Sequence, residues 1–82
     1  MKTKKYTRDQ SSNVAEISYN PEDQSLEVEF HSGKRYRYRG VPESIYNDAL
    51  ESPSIGGFVS ANVVRVFTGE PMDKRETQGV DL

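Results

Sequence analysis

Residues 34–40, with the sequence KRYRYRG, alternate basic side chains with tyrosines and end on a glycine. Basic side chains can contact phosphate groups, and aromatic rings can stack on unpaired bases. Such a mixture is typical of strands that bind nucleic acid. The segment therefore offers two sets of candidate binding residues. The cations are Lys34, Arg35, Arg37 and Arg39, and the rings are those of Tyr36 and Tyr38.

Other residues that could do chemistry give weaker patterns. His31 is the single histidine and could act as a general acid or base near neutral pH, but its position at a turn favours an exposed polar residue. No cysteine and no second histidine are available as metal ligands. Residues 54–57, SIGG, lack the spacing and the lysine of a phosphate-binding P-loop. We therefore predict no catalytic residue, no metal site and no cofactor.

Length, composition and charge limit the class of protein. The chain has 82 residues, of which 33% are hydrophobic and 29% charged, and its formal net charge is −2. One small domain fits this length, with little space for an enclosed active site. The absence of cysteine excludes a disulfide scaffold, and no apolar run approaches the roughly 18 residues of a membrane span. We expect a cytoplasmic protein without a membrane role. The negative charge is unusual for a dedicated nucleic-acid-binding domain.

The charge is unevenly distributed along the chain. Residues 1–10 contain four basic residues and one acidic residue, a net charge of +3, and they are predicted to form a flexible basic arm. Residues 68–82 contain two glycines and a proline among charged residues, without apolar periodicity, and they are predicted to form a disordered tail. The folded unit is therefore predicted to span residues 11–67.

Two predicted strands precede the basic segment. VAEISY (14–19) and SLEVEFH (25–31) alternate apolar and polar residues with period two, which indicates strands with one buried face. Between the second of these strands and the basic segment lies Gly33, which suits the left-handed last position of a three-residue hairpin loop over residues 31–33. The sequence thus predicts a hairpin whose second strand is the basic segment.

The three-residue loop fixes which residues face each other across this hairpin. The predicted pairs are Leu26–Tyr38, Val28–Tyr36, Glu27–Arg37 and Glu29–Arg35. A two-residue loop would place three arginines on the apolar face, which is far more costly. We therefore predict that the tyrosines belong to the core and that the arginines lie outside. Lys34 and Arg39 have no predicted acidic partner and are the better candidates for anion contacts.

Helices are predicted after the hairpin. VPESIYNDALES (41–52) indicates a helix with Pro42 in its first turn, and Ser54 could cap a short second helix over residues 55–61. Residues 63–67 are rich in valine and predict a last strand, whose buried face the pattern does not decide. The predicted class is α+β: a mainly antiparallel sheet of three to four strands in the order β-β-β-α-α-β, with one longer and one short helix packed on one face.

Four segments together resemble the KTSC domain, a short module named from its occurrence at the C-terminus of some lysyl-tRNA synthetases and also found as a free-standing protein in bacteria and phages. They are SSNVAEISY, LEVEF before an SG turn, YRY followed by GVP, and SPSIGGF, and they span residues 11–67. The family motif residues, expected to be structural, are Tyr36, Tyr38, Gly40, Pro42, Ser54, Gly56 and Phe58. The chain departs from the family at Ile55, where lysine is common, so no family role that needs a cation there is expected.

The resemblance implies the fold and suggests RNA binding, because of the association with a synthetase. We predict a small non-catalytic binding module that binds RNA weakly through phosphate contacts from the basic face of the third strand, with residues 1–10 adding reach. The alternative is an accessory module of a bacterial or phage protein that binds a protein partner and no nucleic acid, which the net negative charge favours. The sequence leaves the oligomeric state open.

Overall fold

The computed structural model describes residues 2–72, which form a five-stranded antiparallel sheet and two helices. The strands lie across the sheet in chain order, and both helices lie between the last two strands in the chain. The strands are β1 (Lys2–Lys5), β2 (Val14–Asn20), β3 (Ser25–Phe30), β4 (Arg35–Tyr38) and β5 (Gly69–Met72). The helices are α1 (Glu43–Glu51) and α2 (Ile55–Val59), and α2 continues into a π-helical turn (Ser60–Val64).

The α+β class, the antiparallel sheet and the two helices agree with the prediction, but the sheet has five strands instead of three to four. β1 lies within residues 1–10, predicted to be a flexible arm, and β5 lies within residues 68–82, predicted to be a disordered tail. All four residues of β1 are exposed, so the strand carries no apolar alternation for a sequence pattern to reveal. Residues 73–82 of the predicted tail lie outside the described residues.

The strand predicted over residues 63–67 is wrong, because this segment ends the π-helical turn and continues as an irregular turn. Ile55, Val59 and Val63 are spaced by four residues, and each is at most 4% exposed. Burial at this helical spacing outweighs the preference of valine for strands, which depends strongly on context. The predicted cap is present: the Ser54 hydroxyl accepts a hydrogen bond from the Gly57 amide at 3.2 Å.

The predicted hairpin register is confirmed. β3 and β4 pair Leu26 with Tyr38, Glu27 with Arg37, Val28 with Tyr36 and Glu29 with Arg35. Gly33 has a φ of 99° and its amide donates to the Phe30 carbonyl at 2.8 Å, which closes the three-residue loop. The tyrosines of β4 therefore face the helices, and the arginines of β4 face outward on the uncovered side of the sheet.

The core lies between the sheet and the helices. The sheet contributes residues that are fully buried, including Val14, Ile17, Leu26 and Val28, and the helical half contributes Val41, Tyr46, Ala49, Ile55, Val59 and Val63. Tyr19 joins the two layers, because its ring stacks on Tyr46 with 5.6 Å between ring centroids and its hydroxyl donates to the Val41 carbonyl at 2.5 Å. Burial raises the pKa of Tyr19, so the hydroxyl remains a hydrogen-bond donor at neutral pH.

Tyr19→Phe is expected to lower the free energy of unfolding by about 1–2 kcal/mol, because it removes the donor to a buried carbonyl while keeping the ring. Urea denaturation followed by circular dichroism measures the change. Tyr36→Phe is the matched control, since within residues 2–72 the Tyr36 hydroxyl has no hydrogen-bond partner. Equal effects of the two substitutions would contradict a structural role for the Tyr19 hydroxyl.

Candidate functional site

The predicted arginines of β4 lie on the uncovered face of the sheet, where acids of β3 bind them. Arg35 contacts two carboxylates, with its Nη2 atom 3.2 Å from Glu27 Oε1 and its Nη1 atom 3.3 Å from Glu29 Oε1. Arg37 Nη2 lies 3.4 Å from Glu27 Oε2, so Glu27 is shared by both arginines. The acid–base pairs predicted from the hairpin register are therefore present.

Arg39 also has an acidic partner, which the sequence did not predict. Its Nε atom lies 3.1 Å from Glu70 Oε1, and both side chains are about half exposed. Glu70 belongs to β5 and faces Arg37 across the β4–β5 ladder. The prediction that Arg39 lacks an acidic partner is wrong because it treated residue 70 as part of a disordered tail. An exposed pair of this kind adds only ~0–1 kcal/mol to stability.

Charges cancel across this uncovered face. Within residues 2–72, the strand registers and ion pairs place four cations and four acids on it: Lys5, Arg35, Arg37 and Arg39 against Glu16, Glu27, Glu29 and Glu70. A surface with equal numbers of both charges creates no net field to attract a phosphate chain. The three arginines therefore form ion pairs within the sheet. They are less suitable as a surface that binds anions.

Lys34 is separated from the arginines, because it lies at the opposite face of the hairpin. It lines a cleft of about 540 Å³ that we call the hairpin cleft. The cleft lies between the β1–β2 loop, the β3–β4 hairpin and α2 with its π-helical turn. It is lined by Arg8, Ser12, Asn13, Phe30, His31, Ser32, Lys34, Gly56, Val59, Ser60 and Val64. A volume of this size is ordinary for a ligand site.

The hairpin cleft is lined by basic groups, and no carboxylate of residues 2–72 lines it. Arg8, His31 and Lys34 are its ionisable lining residues, and neither Arg8 nor Lys34 forms an ion pair within the described part of the chain. The His31 backbone amide donates to the Asn13 carbonyl at 2.8 Å, which ties the hairpin to the β1–β2 loop. The His31 Nε2 atom is buried and has no hydrogen-bond partner among residues 2–72. A ligand with acceptor oxygens could bind the exposed side chains of Arg8 and Lys34.

The sequence put forward Arg8 only as part of the basic arm over residues 1–10, and His31 only as an acid or base. Arg8 was predicted to lie in a flexible arm, and His31 was predicted to be an exposed loop residue. The structure instead places both at the cleft that Lys34 lines, although Arg8 is far from the other two residues in the chain. The sequence did place His31 at the start of the hairpin loop. It did not indicate that the β1–β2 loop, which carries Arg8, would lie next to this hairpin.

The two tyrosines of the family motif differ in exposure. Tyr38 is 4% exposed, and burial raises its pKa. Tyr36 is half-buried and meets Phe30 edge to face, with 6.2 Å between ring centroids. A second cavity of about 370 Å³, which we call the aromatic groove, is lined by Phe30, Tyr36, Tyr38, Val64 and Gly69. Phe30 and Val64 line both the groove and the hairpin cleft, so the two cavities adjoin.

The other motif residues have local structural roles. Gly40 has a φ of 74°, a conformation that favours glycine, at the turn from β4 toward α1. Pro42 occupies the N-cap position of α1 without a side-chain hydrogen bond, Ser54 caps α2 through its hydroxyl, and Phe58 packs against the core. Among these motif residues of the described chain, Gly56 also lines the hairpin cleft. A Cβ atom at this position would lie 3.5 Å from Asn13 Nδ2. Three of the four segments that resemble the family, around residues 11–14, 31–33 and 54–58, thus meet at the cleft.

Residues 2–72 contain no group of three or more His, Asp or Glu side chains that could hold a metal ion. Neither helix of that region has the length and apolar character to cross a membrane. The hairpin cleft and the aromatic groove are two cavities of residues 2–72 that could receive a ligand.

Sequence comparison identifies the family of the chain. The sequence model of the KTSC domain matches residues 10–67. The chain belongs to the KTSC domain family. The fold agrees with the crystal structure of a KTSC domain protein from Yersinia pestis, with a TM-score of 0.79 and 25% sequence identity. That match covers 88% of this chain and 97% of the Yersinia chain.

Two relatives extend the comparison. An uncharacterized protein of Stutzerimonas stutzeri strain A1501 is 49% identical over 47 residues, which cover 57% of this KTSC domain protein and 66% of that relative. A protein of Tsukamurella paurometabola is 35% identical over 54 residues, which cover 66% of this chain and 81% of the relative. The matched segment therefore spans just under two thirds of the length of the Stutzerimonas protein.

Proposed function

We propose that this KTSC domain is a small non-catalytic module that binds RNA weakly through its phosphates, and that the hairpin cleft is the binding surface. The observation that carries this proposal is the set of Arg8, His31 and Lys34 around one cavity, to whose lining residues 2–72 contribute no carboxylate. The uncovered face of the sheet is less suitable, because each of its β4 arginines has an acidic partner. Among the cations predicted from sequence, Lys34 alone lines the cleft.

The association of the family with a synthetase and the exposed cations of the cleft favour RNA as the anionic ligand. The net charge of the chain favours weak binding. The KTSC domain is named from its occurrence at the C-terminus of some lysyl-tRNA synthetases, which act on RNA. Arg8 and Lys34 are exposed and free of ion pairs within residues 2–72, so they can reach phosphates without first breaking a salt bridge. The net charge of −2 opposes tight sequence-independent binding.

The cleft favours binding over catalysis. Serine hydroxyls of Ser12, Ser32 and Ser60 line it together with His31, which could in principle act as a base. The His31 ring nitrogen Nε2 makes no hydrogen bond to any of these hydroxyls, so residues 2–72 contain no activated pair of nucleophile and base at this position.

A salt titration tests the proposal. With about two to three phosphate contacts to a short oligouridylate, the logarithm of the association constant should fall with log[salt] with a slope of about −1.5 to −2. Fluorescence anisotropy measures the binding. The double variant Arg8→Glu/Lys34→Glu should bind about 10-fold more weakly or not at all, because it reverses both exposed cations of the cleft.

The matched control reverses the same number of charges on the uncovered face. Arg37→Glu/Arg39→Glu has the same net charge as the cleft variant and should retain most of the affinity, since those arginines already face Glu27 and Glu70. Thermal denaturation checks that both variants fold. Equal losses in the two double variants, or no binding by the unmodified protein at low salt, would count against the proposal.

Binding of a protein partner is the second candidate, and exposed valines favour it. Val64 is 47% exposed and Val66 is 63% exposed, close to the aromatic groove. The edges of the sheet are less suitable for a partner strand, since β1 is rich in lysine and β5 contains Pro71. Recovery of a stoichiometric protein without nucleic-acid absorbance, lost on Val66→Glu substitution, would support this function over RNA binding.

A further inference from the structure

We infer that the aromatic groove receives an unpaired base of the same strand whose phosphates lie in the hairpin cleft. This inference rests on the proposed function and names its ligand class: single-stranded RNA, held by at least one base in addition to its backbone. It is carried by the adjacency of two cavities: within the described part of the chain, the cleft is lined by basic residues without carboxylates, and the groove is lined by aromatic rings without charged residues.

The geometry of the sheet creates the groove. Tyr36 and Phe30 lie on the face that carries the helices, and their edge-to-face contact leaves part of the Tyr36 ring accessible. On the neighbouring strand Gly69 faces Tyr38, whose ring occupies the position that a side chain at residue 69 would need. A cavity of about 370 Å³ lies between these aromatic rings and Val64. Flat aromatic ligands stack favourably on such rings.

The two cavities differ in the charge of their lining residues, and this difference limits which ligands could occupy both. Among residues 2–72, the groove lining contains no charged residue, whereas the adjoining cleft contains three basic ones. A ligand that spans both must present negative charge at one end and an uncharged planar group beside it. A nucleotide of a single strand has this arrangement, because its base is free to leave the phosphate backbone. A base within a duplex is stacked and paired, and it is unavailable to the groove.

The test compares two oligomers of equal length and charge: a short oligouridylate and an abasic oligomer with the same sugar–phosphate backbone. The unmodified protein should bind the oligouridylate about 10-fold more tightly, since stacking of one base on a ring contributes that order of affinity. The slope of affinity against salt concentration should be the same for both oligomers, because the number of phosphate contacts is unchanged.

Two substitutions at Tyr36 assign the difference to its ring. Tyr36→Leu keeps an apolar side chain opposite Val28 but removes the aromatic face, and it should bind the two oligomers equally, with the salt slope unchanged. Tyr36→Phe keeps the ring and should retain the preference for oligouridylate. Thermal denaturation of both variants establishes that they are folded before binding is compared.

The outcomes separate this inference from the proposed function. Equal, salt-dependent binding of both oligomers by the unmodified protein would overturn the base contact and leave phosphate binding intact. A preference that persists in folded Tyr36→Leu would also overturn it, because the base would then be held elsewhere. Absence of binding to either oligomer would overturn both proposals.

Discussion

Leu26→Ala is expected to lower the free energy of unfolding by about 2–5 kcal/mol. Leu26 is completely buried on β3, between Tyr19 of β2 and Tyr38 of β4. Truncation removes apolar contacts and leaves a cavity that these two rings cannot easily fill, because Tyr19 is held by its hydrogen bond to Val41. Domains of this size are stabilised by only about 5–15 kcal/mol, so the substitution should remove a large share of the total.

Leu50→Ala is the matched control, since the same atoms are removed at a position that is 41% exposed on α1. It should change the free energy of unfolding by less than about 1 kcal/mol, because little burial is lost and alanine favours a helix slightly more than leucine. Urea denaturation monitored by circular dichroism measures both variants. Comparable effects at the two positions would contradict the placement of Leu26 at the centre of the core.

Gly69→Ala is expected to destabilise the protein by about 1–3 kcal/mol, although alanine replaces glycine within a strand. A Cβ atom at residue 69 would lie 2.7 Å from Tyr38 Cε1 and 3.0 Å from Tyr38 Cζ, well inside van der Waals contact. Tyr38 is only 4% exposed, so its ring cannot move aside without disturbing the core. The substitution also decides between two descriptions of residues 68–72: in a disordered tail, a methyl group at residue 69 would have no effect.

Gly56→Ala provides the comparison for Gly69→Ala. Gly56 lies in α2, and a Cβ atom there would meet its nearest neighbour, Asn13 Nδ2, at an ordinary contact distance of 3.5 Å. This variant should be neutral or more stable by up to about 1 kcal/mol, since alanine is the better helix former. Differential scanning calorimetry of the two variants gives the comparison. A neutral Gly69→Ala would mean that β5 does not pack on Tyr38 in solution.

The positions that the sequence predicted correctly share one property: their pattern is local. Alternation along β3 and β4 and a glycine at the end of a three-residue loop are enough to set the hairpin register, and with it the separation of the tyrosines from the arginines. Ser54 at the start of α2 is a local signal of the same kind. Each depends on residues a few positions apart, so no knowledge of the remaining fold is needed.

The edge strands and the end of α2 could not be predicted in this way. β1 and β5 expose most of their side chains and pair through the backbone, so neither carries an apolar alternation. Ile55, Val59 and Val63 form an apolar stripe at helical spacing that is visible in the sequence. The two adjacent glycines weakened the prediction of a helix, and the run of valines favoured a strand instead. The acidic partner of Arg39 was missed for the same reason as β5, the strand that carries it.

By itself, the sequence determined the α+β class, the central hairpin and the family, because these follow from periodicity, turn chemistry and a set of local motifs. Only the tertiary structure decided the candidate site. Arg8, His31 and Lys34 belong to two loops whose approach depends on the antiparallel sheet and on the packing of α2 against it. The charge of a surface is the sum of the charges of residues from distant parts of the chain. The sequence pattern therefore did not show that acids neutralise the arginines or that the cleft is basic.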